Sequence, residues 1–288
     1  MRIIEIIRAE KPSLSFEVFP PKTSDTYQSI EKKAGQIASL SPSYMSVTYG
    51  AGGGTSDYTV SIAANLQKSF SVPMLAHLTC INSTREGVHR QLDAIRAAGI
   101  ENVLALRGDI AEDAVPQAEW DYHYASELVR DVVEYGGFCI GGACYPEGHP
   151  ESSSQREDIL HLKEKVEAGC EFLTTQMFFD NDIFYNFLYK IREAGINVPI
   201  VAGIMPVTNY KQIARIVTLS GNLLPRRLLN LIDHFKDNPP AMKQAGIAYA
   251  TEQIVDLFAN GVGAVHVYSM NNPSVAAKIQ ENVSEIIK

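Results

Sequence analysis

The segment MLAHLTCINSTREGVHRQLDAIRAAGIENVLAL, residues Met74–Leu106, contains one complete structural repeat and thereby indicates the fold. It begins with a short apolar run, Met74–Leu78, whose length is typical of a buried strand. After a polar segment, Thr84–Ala98 shows the apolar spacing of an amphipathic helix. A second apolar run, Asn102–Leu106, completes a strand–helix–strand unit.

The same order recurs along the whole chain. The predicted strands are Leu14–Phe19, Tyr44–Thr48, Met74–Leu78, Asn102–Leu106, Cys139–Ala143, Phe172–Gln176, Ile200–Gly203 and Ala264–Tyr268. The predicted helices are Thr26–Ser39, Asp57–Phe70, Thr84–Ala98, His123–Tyr135, Gln155–Ala168, Asn181–Ala194, Tyr210–Ser220 and Pro273–Ile287. Two extra helical stretches, Leu224–Phe235 and Pro240–Asn260, lie between strands seven and eight. Eight such units with short connections favour an α/β fold of the closed (β/α)₈ TIM-barrel type over an open, doubly wound sheet.

Several helix ends carry local signals. Ser83 followed by Glu86 predicts a capping box at the start of one helix. Gly99, Gly169 and Gly195 each follow a helix and precede a strand, which predicts left-handed C-caps.

Length, composition and charge restrict the class of protein. The chain has 288 residues, 45% apolar and 20% charged, which is typical of a soluble globular protein with a substantial core. We find no change in composition and no linker, so residues 1–288 are predicted to form one catalytic domain. The formal charge of −8 argues against a nucleic-acid partner. No apolar run has the length of a membrane span and no signal peptide is recognisable, so we expect a cytoplasmic protein without a membrane partner.

The four cysteines are Cys80, Cys139, Cys144 and Cys170. They form no C-x-x-C pair and mostly lie in or beside apolar runs. We interpret them as small buried residues in a reducing compartment rather than as a metal site or a redox pair. No metal is therefore expected.

The glycine-rich segment GAGGGT, residues Gly50–Thr55, follows a predicted strand. It lacks the third glycine of a dinucleotide-binding fingerprint, and no acidic residue is placed for a ribose. The chain contains no Walker A sequence either. A Rossmann-type interpretation is therefore not favoured.

The C-terminal ends of the strands are where barrels of this type hold their active sites. The predicted strands deliver there Glu17, Thr48, Tyr49, His77, Arg107, Gly108, Asp109, Tyr145, Glu147, His149, Gln176, Tyr268, Asn271 and Asn272. Ionisable groups, amides and aromatic rings thus converge on one rim, as a cofactor pocket requires.

Each of these residues also has a structural explanation. Glu17 alternates with apolar neighbours in a strand covered on both faces, so its carboxylate must be paired, protonated or functional. A structural ion pair is the alternative. Asp109 is alternatively part of a simple turn, and His77 a hydrogen-bonded histidine of the core. Gln176, at a strand end beside apolar residues, needs a polar partner.

The helix after strand five carries Asp158, His161 and Lys165 at a spacing that places them on one face. The simplest interpretation is a solvated helix face. The functional alternative is a surface for the polar tail of a long cofactor, with Lys165 placing its charge against a diphosphate.

Taken together, the chain resembles the methylenetetrahydrofolate reductase family of the short bacterial type, from about Leu14 to Asn271. The resemblance is carried by LSFEVFPPKT, VTYGAGGGT, AHLTCI, NVLALRGD, CYPEGHPES, TTQMFFD, AGIMPVTNYKQ and HVYSMN. Eight segments in the right order are far more specific than any one of them. The resemblance implies a (β/α)₈ barrel with FAD at the C-terminal strand ends. It also implies reduction of 5,10-methylenetetrahydrofolate in one-carbon metabolism, with NADH or NADPH as co-substrate.

The resemblance further implies roles for individual residues. Glu17 matches the general acid that helps to open the imidazolidine ring of the folate. Asp109 matches a catalytic aspartate between flavin and pterin, and Gln176 and Gln212 match substrate-binding positions. The implied flavin-binding positions are Thr48, Tyr49, Ala51, His77, Arg107, Gly108, Asp109, Tyr124, Ala125, Tyr145, His149, Asp158, His161 and Lys165. We also expect a homo-oligomer.

Four positions depart from family members. Ile216 replaces an aromatic residue near the substrate, and Asn272 replaces an arginine near the folate or the nicotinamide. Glu164 replaces a basic residue and His161 an asparagine near the diphosphate. These changes concern the electron donor: we expect NADH to act at a higher half-saturation, with electron delivery by an iron–sulfur partner subunit as the alternative.

Two other protein classes share parts of this pattern. One is a pterin-binding barrel that transfers methyl groups to a corrinoid protein, which needs no flavin. The other is a non-catalytic barrel subunit of a larger complex. The second leaves unexplained why Glu17, Asp109 and Gln176 meet at one rim.

Overall fold

Eight parallel strands close into a barrel in the computed structural model, which describes residues 1–21, 23–49, 56–81, 83–110 and 120–288. Each strand pairs with its neighbour in the chain, and the last pairs with the first. The strands are β1 (Ser13–Val18), β2 (Met45–Val47), β3 (Met74–Thr79), β4 (Asn102–Leu106), β5 (Cys139–Cys144), β6 (Phe172–Thr175), β7 (Ile200–Ile204) and β8 (Ala264–Tyr268). The prediction of a closed (β/α)₈ barrel is confirmed.

Helices lie between the strands and cover the barrel. They are α1 (Ile3–Ile7), α2 (Tyr27–Ala38), α3 (Ser56–Phe70), α4 (Arg85–Ala97), α5 (Ala125–Tyr135), α6 (Gln155–Glu167), α7 (Asn181–Glu193), α8 (Tyr210–Ser220), α9 (Arg226–Phe235), α10 (Pro239–Ala259) and α11 (Pro273–Val283). A 3₁₀ helix at Ser24–Thr26 precedes α2. The predicted extra helices between strands seven and eight are α9 and α10. None of the helices in the described ranges is long and apolar enough to cross a bilayer.

The helix ends follow the sequence signals with one exception. The left-handed glycines are confirmed, with φ of 73° at Gly99, 128° at Gly169 and 83° at Gly195. The capping box at Ser83 is wrong, because the chain enters α4 one residue later. Thr84 is the N-cap, with extended backbone and a hydroxyl that accepts the Gly87 N–H at 3.1 Å.

The core has two main layers that follow from the alternation of side chains along each strand. Outward-facing residues such as Phe16 and Val18 pack under the helices. Inward-facing residues at the N-terminal strand ends form a separate apolar cluster. The short helix α1 closes this end with Ile3, Ile4 and Ile7, all buried. The patterns above do not identify α1.

A third apolar cluster supports the opposite end of the barrel. It joins Phe179 and Met205, at the ends of β6 and β7, to Leu228 of α9 and Met242 of α10. Ile216 of α8 is half-buried and packs against it. The extra helices are thereby held beside the C-terminal strand ends.

Candidate active site

Glu17 lies inside the barrel near its C-terminal end and is only 7% exposed. Its Oε2 is 3.5 Å from the Ser46 hydroxyl, 3.6 Å from His77 Nε2 and 3.9 Å from His266 Nε2. These distances exceed those of good hydrogen bonds and close ion pairs. The carboxyl group is therefore buried without a short hydrogen bond from the residues that the structure describes.

His266 is a member of this cluster that the sequence analysis missed. Ser15 donates its only O–H to Val265 O at 3.1 Å, so its oxygen accepts from His266 Nδ1 at 2.7 Å. This leaves Nε2 as the acceptor for the Ser46 hydroxyl at 2.9 Å. The His266 ring also stacks on Tyr44, with centroids 5.7 Å apart. Its orientation is therefore determined from three sides.

The alternation along β8 contained the signal for His266. Val265 and Val267 face outward into the apolar layer, so His266 must face the interior. A buried histidine needs polar partners there, and β1 and β2 supply serines at matching positions.

His77 is buried on the other side of Glu17. Burial lowers its pKa to about 4, because the charged ring would lose its water; the nearby Glu17 raises the pKa in part, and His266 lowers it. Its Nε2 has no hydrogen-bond partner among the described residues. At neutral pH the ring is therefore uncharged and contributes no cation to the cluster.

The β4–α5 connection carries Arg107, Gly108 and Asp109 to the rim. Gly108 has φ of 89°, and a Cβ there would lie 3.0 Å from the Cβ of Thr79, so only glycine fits without strain. Arg107 forms two hydrogen bonds with Glu151, at 2.6 and 2.5 Å. Asp109 is exposed. Glu151 is a partner that the sequence analysis missed, since 44 residues separate it from Arg107.

A half-buried group of polar side chains follows at β5 and α6. Tyr145 and His149 contact edge to face, with centroids 4.7 Å apart. Burial raises the pKa of Tyr145 to about 12, and the charges of Asp109 and Asp158 act in the same direction. Burial also raises the pKa of Asp158. Lys165 donates from Nζ to the Ala143 carbonyl at 2.8 Å, and no described carboxylate forms an ion pair with it.

The helix face predicted for α6 is divided in two. Asp158 and Lys165 are half-buried beside β5, whereas His161 is exposed and lies 3.6 Å from Glu164. The His161 ring stacks on the exposed Tyr124 at 6.3 Å between centroids. Ala125 is buried in the first turn of α5.

The remaining predicted residues lie around the rim. Gln176 is half-buried and its Oε1 accepts the Met177 N–H at 2.9 Å. Thr48 and Tyr49 are half-buried after β2, where the Thr48 carbonyl accepts from Thr59 at 2.9 Å. Ala51 lies outside the described residues. Gln212 lines a separate cavity of about 420 Å³ between α8, α10 and α11.

The cysteines and the acidic residues show no metal site in the part of the chain described. All four cysteines are free and buried. No group of three histidine, cysteine, aspartate or glutamate side chains is arranged to hold a metal ion among the described residues.

Comparisons with known proteins place this geometry in a family context. The family model described as methylenetetrahydrofolate reductase matches residues 2–284. A relative from Arabidopsis thaliana, methylenetetrahydrofolate reductase (NADH) 1, is 37% identical over 99% of this chain and 51% of its own length. The 5,10-methylenetetrahydrofolate reductase of Escherichia coli is 34% identical over 93% of this chain and 89% of its own. The chain thus spans about half the length of the plant relative but nearly all of the bacterial one.

Solved structures share the barrel at low sequence identity. An uncharacterised protein from Clostridium thermocellum, described as binding two copies of 5-methyl-5,6,7,8-tetrahydrofolic acid, superposes with a TM-score of 0.69. It is 17% identical and covers 98% of this chain and 99% of its own. At this identity the likeness supports the fold alone.

Proposed function

Because this chain belongs to the methylenetetrahydrofolate reductase family, we propose that it reduces 5,10-methylenetetrahydrofolate to 5-methyltetrahydrofolate. The cofactor is FAD, and the electrons come from NADH or NADPH. Residues 1–288 act as one catalytic domain.

The state of Glu17 is the observation that carries this proposal. The carboxyl group is buried at the C-terminal end of the barrel and receives no short hydrogen bond from the described residues. A structural ion pair would hold it at a closer distance, and the neutral His77 offers no cation. A carboxyl group in such surroundings suits a general acid that meets its partner only when substrate binds.

In the reaction, Glu17 delivers a proton to the ring nitrogen that leaves when the imidazolidine ring opens. Ser46 and His266, which are hydrogen-bonded to each other, lie against one side of the carboxyl group. His77 fills the opposite side and excludes water from the cluster. The acid is then protonated again from solvent after product leaves.

The groups at β5 and α6 fit a flavin dinucleotide. Lys165 has no carboxylate partner among the described residues, so its charge is available to a diphosphate. Half-buried Tyr145, His149 and Asp158 offer aromatic faces and hydrogen-bonding atoms for the ring system and the ribose chain. When bound and reduced, FAD supplies the hydride that the folate accepts.

Two rim residues complete the proposed substrate contacts. Asp109 faces the solvent beside Tyr145 and is free to meet the pterin ring. Glu151 holds the Arg107 guanidinium in a fixed plane next to it. Gln176 presents its amide at the end of β6 to the substrate that occupies the site.

The test is an absorption spectrum of the purified protein, followed by anaerobic mixing with NADH or NADPH. We expect a yellow protein whose flavin spectrum bleaches with one of the two nucleotides and recovers when 5,10-methylenetetrahydrofolate is added. A colourless protein that takes up no FAD on reconstitution would contradict the proposal and favour the corrinoid methyltransferase class. A third outcome is that neither nucleotide bleaches the flavin, but the spectrum of chemically reduced flavin recovers when the folate is added. The electron donor would then be another protein instead of a nucleotide.

A further inference from the structure

The cavity beside Gln212 has a positive charge that the proposed reaction does not use. We call it the outer pocket; it is lined by Pro206, Thr208, Gln212, Lys243, Tyr268 and Asn272, among others. Its volume is about 420 Å³, and it lies between the N-terminal ends of α8, α10 and α11. Among the lining residues that the structure describes, Lys243 is the only lysine or arginine.

Lys243 is held in this pocket by a chain of hydrogen bonds. Its Nζ donates to Ser274 Oγ at 2.6 Å, and Ser274 donates to Asn272 Oδ1 at 2.8 Å. The residue is half-buried. Its ammonium group forms no ion pair with a carboxylate of the described ranges, so two of its three N–H donors remain for a ligand or water.

This environment differs from that of two exposed lysines, Lys278 and Lys236. Lys278 and Lys236 pair with acidic residues three positions away on their own helices. Lys243 instead links two helices in a partly enclosed space, and no described carboxylate pairs with its ammonium group. An ammonium group that has lost part of its water and has no anion nearby attracts an anionic ligand.

The outer pocket adjoins the proposed active site at Tyr268. Tyr268 lines the pocket and pairs in register with Glu17 on the neighbouring strand. A molecule that reacts at Glu17 and extends past Tyr268 therefore brings its far end towards Lys243. The proposed folate substrate has this form, with an uncharged reacting ring at one end and a glutamate with two carboxylates at the other.

We propose that Lys243 binds a tail carboxylate of the folate, assisted by the amides of Gln212 and Asn272. This inference rests on the proposed function and names the part of the site that recognises the glutamate tail. It also bears on Asn272, which replaces an arginine of other family members near the folate or the nicotinamide. The positive charge that Asn272 lacks is brought to the same pocket by α10.

The charge acts on binding rather than on chemistry, because the tail lies far from the bond that is made. An interaction that is equal in the ground state and the transition state lowers KM and leaves kcat unchanged. Lys243 therefore selects glutamylated folates over the same ring system without the glutamate.

The experiment compares Lys243→Gln with the wild type on two substrates, 5,10-methylenetetrahydrofolate and 5,10-methylenetetrahydropteroate, which lacks the glutamate. Lys243→Gln raises KM for the glutamylated substrate by about tenfold or more, because this is the loss of affinity expected when one charge-assisted hydrogen bond is removed. Its KM for the pteroate substrate and its kcat stay at the wild-type values. Lys243→Arg keeps the charge and restores most of the affinity. Lys211→Gln, a change at an exposed lysine beside Gln212, is the matched control and has little effect.

Three results would overturn the proposal. Lys243→Gln could raise KM equally for both substrates, which would make the residue structural. It could weaken only the flavin reduction by NADH, which would assign the charge to the nucleotide phosphates. It could leave all constants unchanged.

A binding measurement separates this inference from the reductase assignment. Calorimetry with p-aminobenzoylglutamate and p-aminobenzoate needs no catalysis. We expect the wild type to prefer the glutamate compound and Lys243→Gln to lose that preference. The same loss in a protein that reduces no folate would retain the carboxylate site and refute only the reaction; equal binding of both compounds by the wild type would refute the site.

Discussion

At the scale of single residues, the chemistry of Glu17 depends on what its neighbours do not offer. Ser46, His77 and His266 surround the carboxyl group at distances between 3.5 and 3.9 Å. The serine hydroxyl serves His266, and His77 is uncharged at neutral pH. The carboxyl group is thus enclosed by contacts that do not neutralise it, as the proposed proton delivery requires.

Replacement of Glu17 by glutamine tests this role directly. Glu17→Gln should keep the bound flavin and its reduction by the nucleotide, because that half-reaction needs no acid. The folate half-reaction should slow by about 10²–10⁴, the usual effect of removing a general acid. Stopped-flow spectroscopy measures the two half-reactions separately, with the exposed Glu10→Gln as control. Wild-type folate rates in Glu17→Gln would disprove the assignment, and a lowered melting temperature would support the structural ion pair instead.

The buried His77 predicts how stability depends on pH. An unfolded chain protonates this ring near its ordinary pKa of 6.5, but the folded chain does so only at about 4. The unfolded state therefore binds more protons between these values, and stability falls as the pH falls from about 6.5 towards 4. At pH 5 the loss from this group is about 2 kcal/mol.

Urea unfolding at pH 7.5 and pH 5 checks this expectation. His77→Gln should lose less stability between the two conditions than the wild type, whereas His234→Gln, at an exposed histidine, should behave like the wild type. Glu17 and His266 both face the His77 ring. Glu17 raises the pKa of His77 and His266 lowers it, and the measured difference between the two pH values includes both effects. An equal loss in His77→Gln and wild type would show that the ring is accessible to protons in the folded state.

At the scale of elements, helix α10 sets the shape of the outer pocket. Gly246 lies where α10 meets the segment after β7, and a Cβ there would be 1.8 Å from the Val207 carbonyl oxygen. The absence of a side chain allows the helix backbone to approach this closely. The same approach brings Lys243, one turn earlier, to the pocket lining.

Two opposing effects determine how Gly246→Ala changes the stability of the protein. Alanine in a helix interior is favoured over glycine by about 1 kcal/mol. The contact with the Val207 carbonyl forces a backbone shift, and overpacking of this kind costs about 1–3 kcal/mol or more. We expect the cost of the close contact to exceed the gain in helix propensity, so the urea midpoint falls. Ala248→Gly on the exposed side of α10 is the control and should cost only the propensity difference. A raised midpoint in Gly246→Ala would show that α10 is not held against Val207.

At the scale of the whole molecule, the barrel separates stability from chemistry. The N-terminal end is closed by α1 over an apolar cluster that includes Leu75, Leu104 and Phe172. The C-terminal end carries the ionisable groups on loops and strand ends. Changes at the closed end should therefore affect stability without altering the site.

Ile3→Ala tests this separation. Ile3 is fully buried, and truncating such a side chain costs about 2–5 kcal/mol. Glu5→Ala on the exposed side of α1 should change stability by less than about 0.5 kcal/mol. Flavin content and the rates of both half-reactions should match the wild type in the folded Ile3→Ala protein. Loss of flavin below the unfolding transition would show that the two ends are coupled.

Local patterns in the sequence are enough to predict the class of fold and the composition of the rim. The alternation of apolar runs and helical patterns predicts all eight strands, because burial on both faces of a parallel sheet leaves a local signature in each strand. It also predicts that Glu17, Asp109 and Gln176 lie at strand ends. These properties depend on residues that are close together in the chain.

Which of these residues contact one another depends on how the chain folds in three dimensions. Closure of the barrel pairs β1 with β8. This pairing places His266 beside Glu17, although most of the chain separates the two residues in sequence. The pairing of Arg107 with Glu151 and the position of Lys243 in a pocket with Asn272 likewise depend on how separate elements pack. Contacts of this kind leave no pattern in a single sequence, because strand register and helix packing are set by the whole core at once.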